Sequence, residues 1–104
     1  MQLSTTNEIP TKQVETYLGL VKGSTVQTKN FARDIGAGLK TLVGGEIKAY
    51  TQMMNDARQI AIGRMVDEAT SLGANAIIGF RMESSTVMAG ASELIAYGTA
   101  VIVK

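Results

Sequence analysis

The densest pattern in the chain runs from Gly45 to Gly79. Between Glu46 and Leu72, the residues Ile47, Tyr50, Met54, Ala57, Ala61, Met65 and Leu72 fall on one stripe when each position advances by about 100°. The spacing predicts one long amphipathic helix. Glu46 suits the positive end of its dipole, and Gly73 reads as a left-handed C-terminal stop. The period then changes at once. Asn75 to Glu83 (NAIIGFRME) reads as a strand.

Upstream, Val14 to Gln27 (VETYLGLVKGSTVQ) alternates and is rich in β-branched and aromatic residues, which predicts a second strand. Gly19 and Gly23 inside it mark a bulge or a close backbone approach. Met1 to Thr6 reads as a short strand broken at Ile9-Pro10. Lys29 to Leu42 spaces Phe31, Ile35, Leu39 and Leu42 as a short helix, weakened by Gly36 and Gly38. Gly44-Gly45 permits a sharp turn. Ser84 to Ser92 reads as a loop, and Glu93 to Lys104 (ELIAYGTAVIVK) as the last strand. The order is ββααββ: one α+β domain over residues 1–104, with the long helix packed on a small, mostly antiparallel sheet. No repeat, linker or low-complexity tract interrupts it.

Two features of the long helix point beyond one subunit. At about 1.5 Å per residue it extends roughly 40 Å, whereas a compact domain of about 100 residues has a radius of gyration near 13 Å. The helix overruns its own domain unless it bends, with Gly63 the natural place. Ile62 and Val66 also lie one turn apart, roughly opposite the main stripe, and a second subunit covers them most simply. The plainer alternative is a helix kinked at Gly63, with Lys29 to Leu42 covering both residues.

Charge enters the apolar pattern in two places. Arg64 and Glu68 are one turn apart, on or beside the stripe. They read as a structural ion pair that fixes packing or subunit register, or, more sharply, as a partly buried ligand or proton-transfer site. In the strands, Ile77, Gly79, Arg81 and Glu83 share one face by simple alternation, and Ala76, Ile78, Phe80 and Met82 the other. Glu93, Ile95, Tyr97 and Thr99 share a face of the last strand. An antiparallel pairing then gathers Arg81, Glu83, Glu93 and Tyr97 on one side, as a solvated sheet face or as a polar interface pocket.

Composition narrows the chemistry. The 104 residues carry a formal net charge of +1 and no Cys or His. Disulfides, Ser-His and Cys-His nucleophiles, and the preferred zinc ligands are therefore excluded. There is no block of Lys or Arg, and aromatics are few (Tyr17, Phe31, Tyr50, Phe80, Tyr97), so neither nucleic-acid footprint is present. The opening MQLSTTNEIP lacks a basic segment followed by an apolar core, and no apolar run approaches the roughly 20 residues that span a bilayer. No membrane partner is expected, and the default location is the cytoplasm. Gly36 to Thr41 (GAGLKT) lacks the spacing of a phosphate-binding loop. Met53, Met54, Met65, Met82 and Met88 form no closely spaced array for copper(I) and read as core filling. Asp56, Asp67, Glu68, Glu83 and Glu93 match no calcium loop.

The elements Gly44-Gly45-Glu46, Tyr50-Thr51, Ala57-Arg58, Arg64-Met65, Leu72-Gly73-Ala74-Asn75-Ala76, Gly79, Arg81 and Tyr97-Gly98-Thr99-Ala100-Val101 carry a resemblance. With the STTNEIP opening and the YLGLVKGSTV strand, the chain resembles the YbjQ family, also called UPF0145, of small bacterial and archaeal proteins. The resemblance implies a dodecin-like α+β subunit that assembles as a ring homopentamer. It also carries a heavy-metal-binding label, which a chain without Cys or His does not fit.

The expected function is a non-catalytic homo-oligomer without a cofactor, binding a small molecule at subunit interfaces or serving as a scaffold. The enzyme alternative uses Glu68, Glu83 or Glu93 as acid or base. Arg58, Arg64 or Arg81 would hold an anionic group, and Tyr97 or Tyr50 would donate a proton. A third alternative is metal binding through oxygen and thioether ligands.

Overall fold

The computed structural model describes residues 1–28, 45–88 and 91–104, with side chains except at 27, 28, 45–50, 53, 87 and 91. In chain order the elements are β1 (Gln2–Leu3), β2 (Val14–Thr28), α1 (Gly45–Ser71), β3 (Ala76–Met88) and β4 (Ala91–Val103). The helix expected over Lys29 to Leu42 lies outside the described residues. The four strands form one sheet in the order β1-β3-β4-β2. β4 pairs antiparallel with both β2 and β3, and β1 lies parallel to β3. The sheet is therefore mixed, with the parallel exception confined to two residues.

The long helix forms as its stripe predicts and ends where Gly73 stops it. Gly73 takes a φ of 87°. Its N–H donates to Thr70 O at 3.0 Å, and the Ala74 N–H reaches Ala69 O at 3.1 Å. That pair of bonds is a Schellman motif, which satisfies carbonyls that a helix end otherwise leaves open. The buried stripe is Ala57, Ala61, Met65 and Ala69. Leu72, expected on it, is 46% exposed because the helix ends at Ser71 and the stripe closes one turn earlier.

One core lies between α1 and the sheet: Val21, Ala61, Met65, Ala69, Ile77, Ala96 and Ala100. Small residues dominate it, so the helix rides close to the strands. The closest approach is at Gly23, one of the two glycines flagged in the β2 pattern. A Cβ there would sit 2.3 Å from both Ala61 O and Met65 N, which no side chain can occupy. Gly19, the other, takes a φ of 109° beside the register shift between Tyr17 and Gly19.

A second core lies on the other face, which α1 does not touch. Ile9 seals it over Ala76, Ile78, Val101 and Val103, with Val14 packed against it. The chain before β2 folds back over this face. Ser4 N–H donates to Ile77 O at 2.9 Å, Phe80 N–H to Ser4 O at 2.9 Å, and Gly79 N–H to Thr6 O at 2.8 Å. Ser4 and Thr6 hydroxyls brace the segment against Glu8 O at 3.1 and 2.7 Å.

Two strand expectations are corrected. The ladder from Ile78 to Arg81 spans three residues on β3 against two on β4, Thr99 to Tyr97. The extra residue is a bulge, and Gly79 occupies it with a φ of 62°. Simple alternation therefore fails at Gly79. Ile77 joins Phe80 and Met82 on the helix side, and Ile78 sits on the face of the second core. Nor does the chain loop from Ser84: β3 runs on to Met88, with Ser84, Ser85 and Thr86 paired to Leu94, Glu93 and Ser92. Their polar character reflects exposure at the far end of a hairpin rather than a turn.

Gly23→Ala is expected to destabilise the protein by about 3 kcal/mol, the upper end for overpacking, because the clash is with helix backbone that cannot rotate away. At roughly 4–8 °C per kcal/mol for a domain of this size, thermal denaturation reads this easily. Gly63→Ala is the control. A Cβ at Gly63 meets nothing within 4 Å, so relief of helix glycine stabilises by about 0.5–1 kcal/mol. Equal melting temperatures for the two variants would show that the close approach at Gly23 is not a constraint.

Candidate functional site

The site begins with the outer face of the sheet, the one turned away from α1. β2, β4 and β3 lie side by side there, and their register aligns residues in rows. Lys22, Tyr97 and Arg81 form one row, since Lys22 pairs with Tyr97 and Tyr97 with Arg81. The next row is Ser24, Ile95 and Glu83, and the one beyond is Val26, Glu93 and Ser85. The N-terminal segment covers the part of this face near Ile78 and Val101; in the rows, Lys22, Val26, Arg81, Glu83 and Ser85 are exposed and Ser24, Glu93, Ile95 and Tyr97 half-buried.

Within the rows, Tyr97 Oη donates to Glu83 Oε1 at 3.0 Å across the diagonal of the ladder. That bond is the main reason the Tyr97 phenol lies above its ordinary value of 10.0. Desolvation and the Glu83 charge push the same way, and Arg81 pulls against them. Arg81 itself turns to the strap: its Nη1 donates to Thr5 O at 2.6 Å and to Phe80 O at 2.8 Å. It fastens the N-terminal segment to β3. Lys22, which the sequence reading passed over, is exposed beside Tyr97. Only the ladder register places it there, and the register depends on bulges in β2 that alternation alone does not reveal. Glu93 is on the same face but four residues along β4 from Tyr97, roughly 13 Å at about 3.3 Å per residue. The expected four-residue cluster thus reduces to a Tyr97–Glu83 pair with Arg81 alongside.

Arg64 and Glu68 lie elsewhere and do not pair with each other. The salt bridge among the described residues is Lys104–Glu15 at 3.2 Å, between exposed groups and of small energetic consequence. Arg64 Nη1 donates instead to Ser24 O at 2.5 Å, and Glu68 Oε1 accepts from the Lys22 N–H at 3.4 Å. Both side chains reach the backbone of β2. Arg58 donates to Asn55 Oδ1 at 2.9 Å on the exposed side of α1, and the Tyr50 side chain lies outside the described set. Ile62 and Val66 are half-buried and pack against the core under α1, so they flank the buried stripe rather than oppose it.

Asn75 has a structural task that the sequence did not disclose. Its Nδ2 donates to Val103 O at 2.9 Å and its Oδ1 accepts from the Val103 N–H at 2.8 Å, so one amide side chain extends the β3–β4 ladder by a rung.

These features define a small two-layer α+β fold which, among the described residues, sets one helix on a four-strand mixed sheet and leaves a polar and apolar outer face. A family model described as "Putative heavy-metal-binding" matches residues 1–104. The chain is 62% identical over 102 residues to a UPF0145 protein of Clostridium perfringens, covering 98% of this chain and 96% of that one. It is 60% identical over 104 residues to one from Halalkalibacterium halodurans, covering 100% and 98%. The Thermotoga maritima protein is 54% identical over 101 residues, covering 97% and 95%. The chain belongs to the UPF0145, or YbjQ, family. A crystal structure of a protein of unknown function from Pediococcus pentosaceus, of the DUF74 family, shares the fold. Its TM-score is 0.64 at 16% identity, over 100% of this chain and 98% of that one.

The heavy-metal description does not fit the donors present. The sequence has no thiolate or imidazole. Among the described residues no three carboxylates gather in a way that could hold an ion. Met65 is wholly buried and Met82 is packed against the core, so neither thioether is free. The thiolate and imidazole ligands that build tight zinc and other soft-metal sites are absent, and the exposed thioethers among the described residues are those of Met1 and Met88.

The raised Tyr97 value has a definite sign. The folded state holds this proton more tightly than the unfolded chain. The stability so gained is complete below pH 10 and is lost as pH climbs through the higher folded value. Ultraviolet titration should show one tyrosine ionising above the ordinary range, assigned by its disappearance in Tyr97→Phe. Glu83→Ala should return it towards 10.0. A curve unaltered by Glu83→Ala would break the link between the two groups.

Proposed function

We propose that this protein is the subunit of a homo-oligomer, a pentameric ring, that holds a small molecule where copies meet and performs no catalysis of its own. The single observation that carries this is the outer face of β2. Tyr17, Leu20 and Val26 are 68, 67 and 55% exposed there, on either side of the row of Lys22, Tyr97 and Arg81, opposite Val101, Thr99 and Glu93 of β4. Each such side chain gains about 1.5 kcal/mol or more when it leaves water. A second copy of the chain is the occupant that supplies cover. The body is also extended for its size, 54 Å in its longest dimension with a radius of gyration of 16.9 Å, against about 13 Å for a compact chain of this length. Membership of a family expected to form rings agrees with both.

The ligand reading rests on Lys22, Tyr97 and Glu83. The Lys22 ammonium attracts an anionic group, and the Tyr97 hydroxyl, its proton given to the hydrogen bond with Glu83, offers an acceptor oxygen beside it. The same bond weighs against catalysis. A phenol whose proton is held more tightly than usual is a weaker acid, and a base near neutrality needs a lowered value.

Native mass spectrometry of the protein from its own host should show one homo-oligomer of five copies with a retained small mass. Leu20→Glu with Val26→Glu should weaken assembly at least about tenfold, since two charges would be forced into the contact. A monomer at micromolar concentration in light scattering would overturn the proposal.

Elemental analysis of the same preparation should find heavy metals far below one equivalent per chain. A stoichiometric thiophilic metal would show that the donor argument is wrong.

A further inference from the structure

β2 is an edge strand, because the sheet order ends on it and its only described strand partner is β4. Such an edge offers unpaired N–H and C=O groups to any passing strand, and natural sheets carry devices that prevent it. In a strand, the N–H and C=O of one residue point to the same side, and the residue two along repeats that direction. Lys22 and Ser24 are two apart. Each therefore turns both its N–H and its C=O outward, and the outermost two of these four groups, the Lys22 N–H and the Ser24 C=O, are already taken. Glu68 Oε1 accepts from the first at 3.4 Å and Arg64 Nη1 donates to the second at 2.5 Å.

A neighbouring strand would present a carbonyl to that N–H and an N–H to that carbonyl. Glu68 and Arg64 present the same two functions from one turn of α1. They reach the edge because Gly23, the residue between, lets the backbone of α1 settle against β2 beside Ala61 and Met65. Arg64 and Glu68 therefore lie on the flank of the buried stripe that faces the strand edge.

We infer that Arg64 and Glu68 are a strand-edge cap. They occupy the middle of the β2 edge that no described strand pairs with, and close it to strand addition by a second copy of this chain. Subunit contacts through the outer face remain open, while edge-to-edge growth through residues 22–24 does not. The inference stands apart from the proposed ring and ligand, since it concerns a contact that the cap prevents in any assembly state.

Amide hydrogen exchange on the full-length protein tests the cap directly. The Val101 amide, deep in the sheet, serves as the reporter of global opening. In Glu68→Ala the Lys22 amide should exchange about tenfold or more faster relative to Val101, the loss of one hydrogen bond to a charged acceptor. Glu68→Gln keeps an acceptor oxygen and should restore most of the protection. Arg64→Ala combined with Glu68→Ala should form sheet-paired higher-order species that scatter light and bind thioflavin, where the wild type does not. If the double variant misfolds, the Glu68→Ala and Glu68→Gln exchange pair still decides the matter. Unchanged Lys22 exchange in Glu68→Ala overturns the cap. So does a folded double variant that keeps the wild-type size and stays thioflavin-negative.

Discussion

The close passage of α1 over Gly23 is the constraint from which much of this structure follows. Helix backbone rests against strand backbone there, with Ala61 and Met65 above the glycine. Interiors are packed as densely as organic crystals, so an approach this near is possible only where small residues line both sides. Ala57, Ala61 and Ala69 supply one side, and Gly23, Ala96 and Ala100 the other. The core under α1 is thin as a result. Its stability depends on close fit more than on bulk, which makes it sensitive to one added methyl group.

A thin core on one face shifts the burden to the other. The segment before β2 folds across the sheet, ties itself to β3 through Ser4 and Thr6, and seals a second core with Ile9. Arg81 fastens it by donating to Thr5 O. The bulge at Gly79 makes this possible. It turns Ile77 towards α1 and places Ile78 beneath Ile9, so that one strand serves both cores. The cover stops short of the row that begins at Lys22. Beyond that row β2, β4 and β3 continue as an arm in which Glu83 to Thr86 are exposed and Leu94 and Ala96 supply the buried side chains. An arm with little core of its own is poorly stabilised in isolation, and that is the physical case for a neighbouring copy.

Much of the architecture was legible in the sequence, and the failures have a common physical source. The helix showed its length, the buried Ala57, Ala61 and Met65 though not Ala69, and its stop at Gly73, because local periodicity and a left-handed cap are properties of neighbouring residues. Gly19 and Gly23 announced a bulge and a close approach, and each glycine took one of those roles. What local pattern cannot supply is pairing. Ser84 to Met88 looked like a loop until β4 provided partners, since strand preference is a response to neighbours across the ladder. The face of Ile78 was misread because one inserted residue reverses alternation. Lys22 was passed over for the same reason: its place beside Tyr97 exists only in the register. The Arg64 and Glu68 spacing was read as a pair, yet the two side chains went to strand residues 40 and 46 positions away.

That last displacement bears on how charge is used near the core of a small domain. Two opposite charges in contact on a partly buried helix face gain little net stability, because both must shed water to meet. Each does better here. A guanidinium meeting a carbonyl and a carboxylate meeting an N–H form charge-assisted bonds, roughly twice as strong as neutral ones. They also satisfy backbone groups that an edge strand would otherwise leave to water or to another chain. Both side chains stay exposed, so neither carries a full desolvation cost. The spacing of four residues suits a helical ion pair and equally suits two backbone groups two residues apart on a strand, about 6.6 Å of rise against about 6 Å. A helix lying along a strand can therefore read that strand's edge with side chains one turn apart. Where an i, i+4 pair of opposite charges flanks a buried stripe and a strand glycine allows close approach, the strand edge competes with the ion pair.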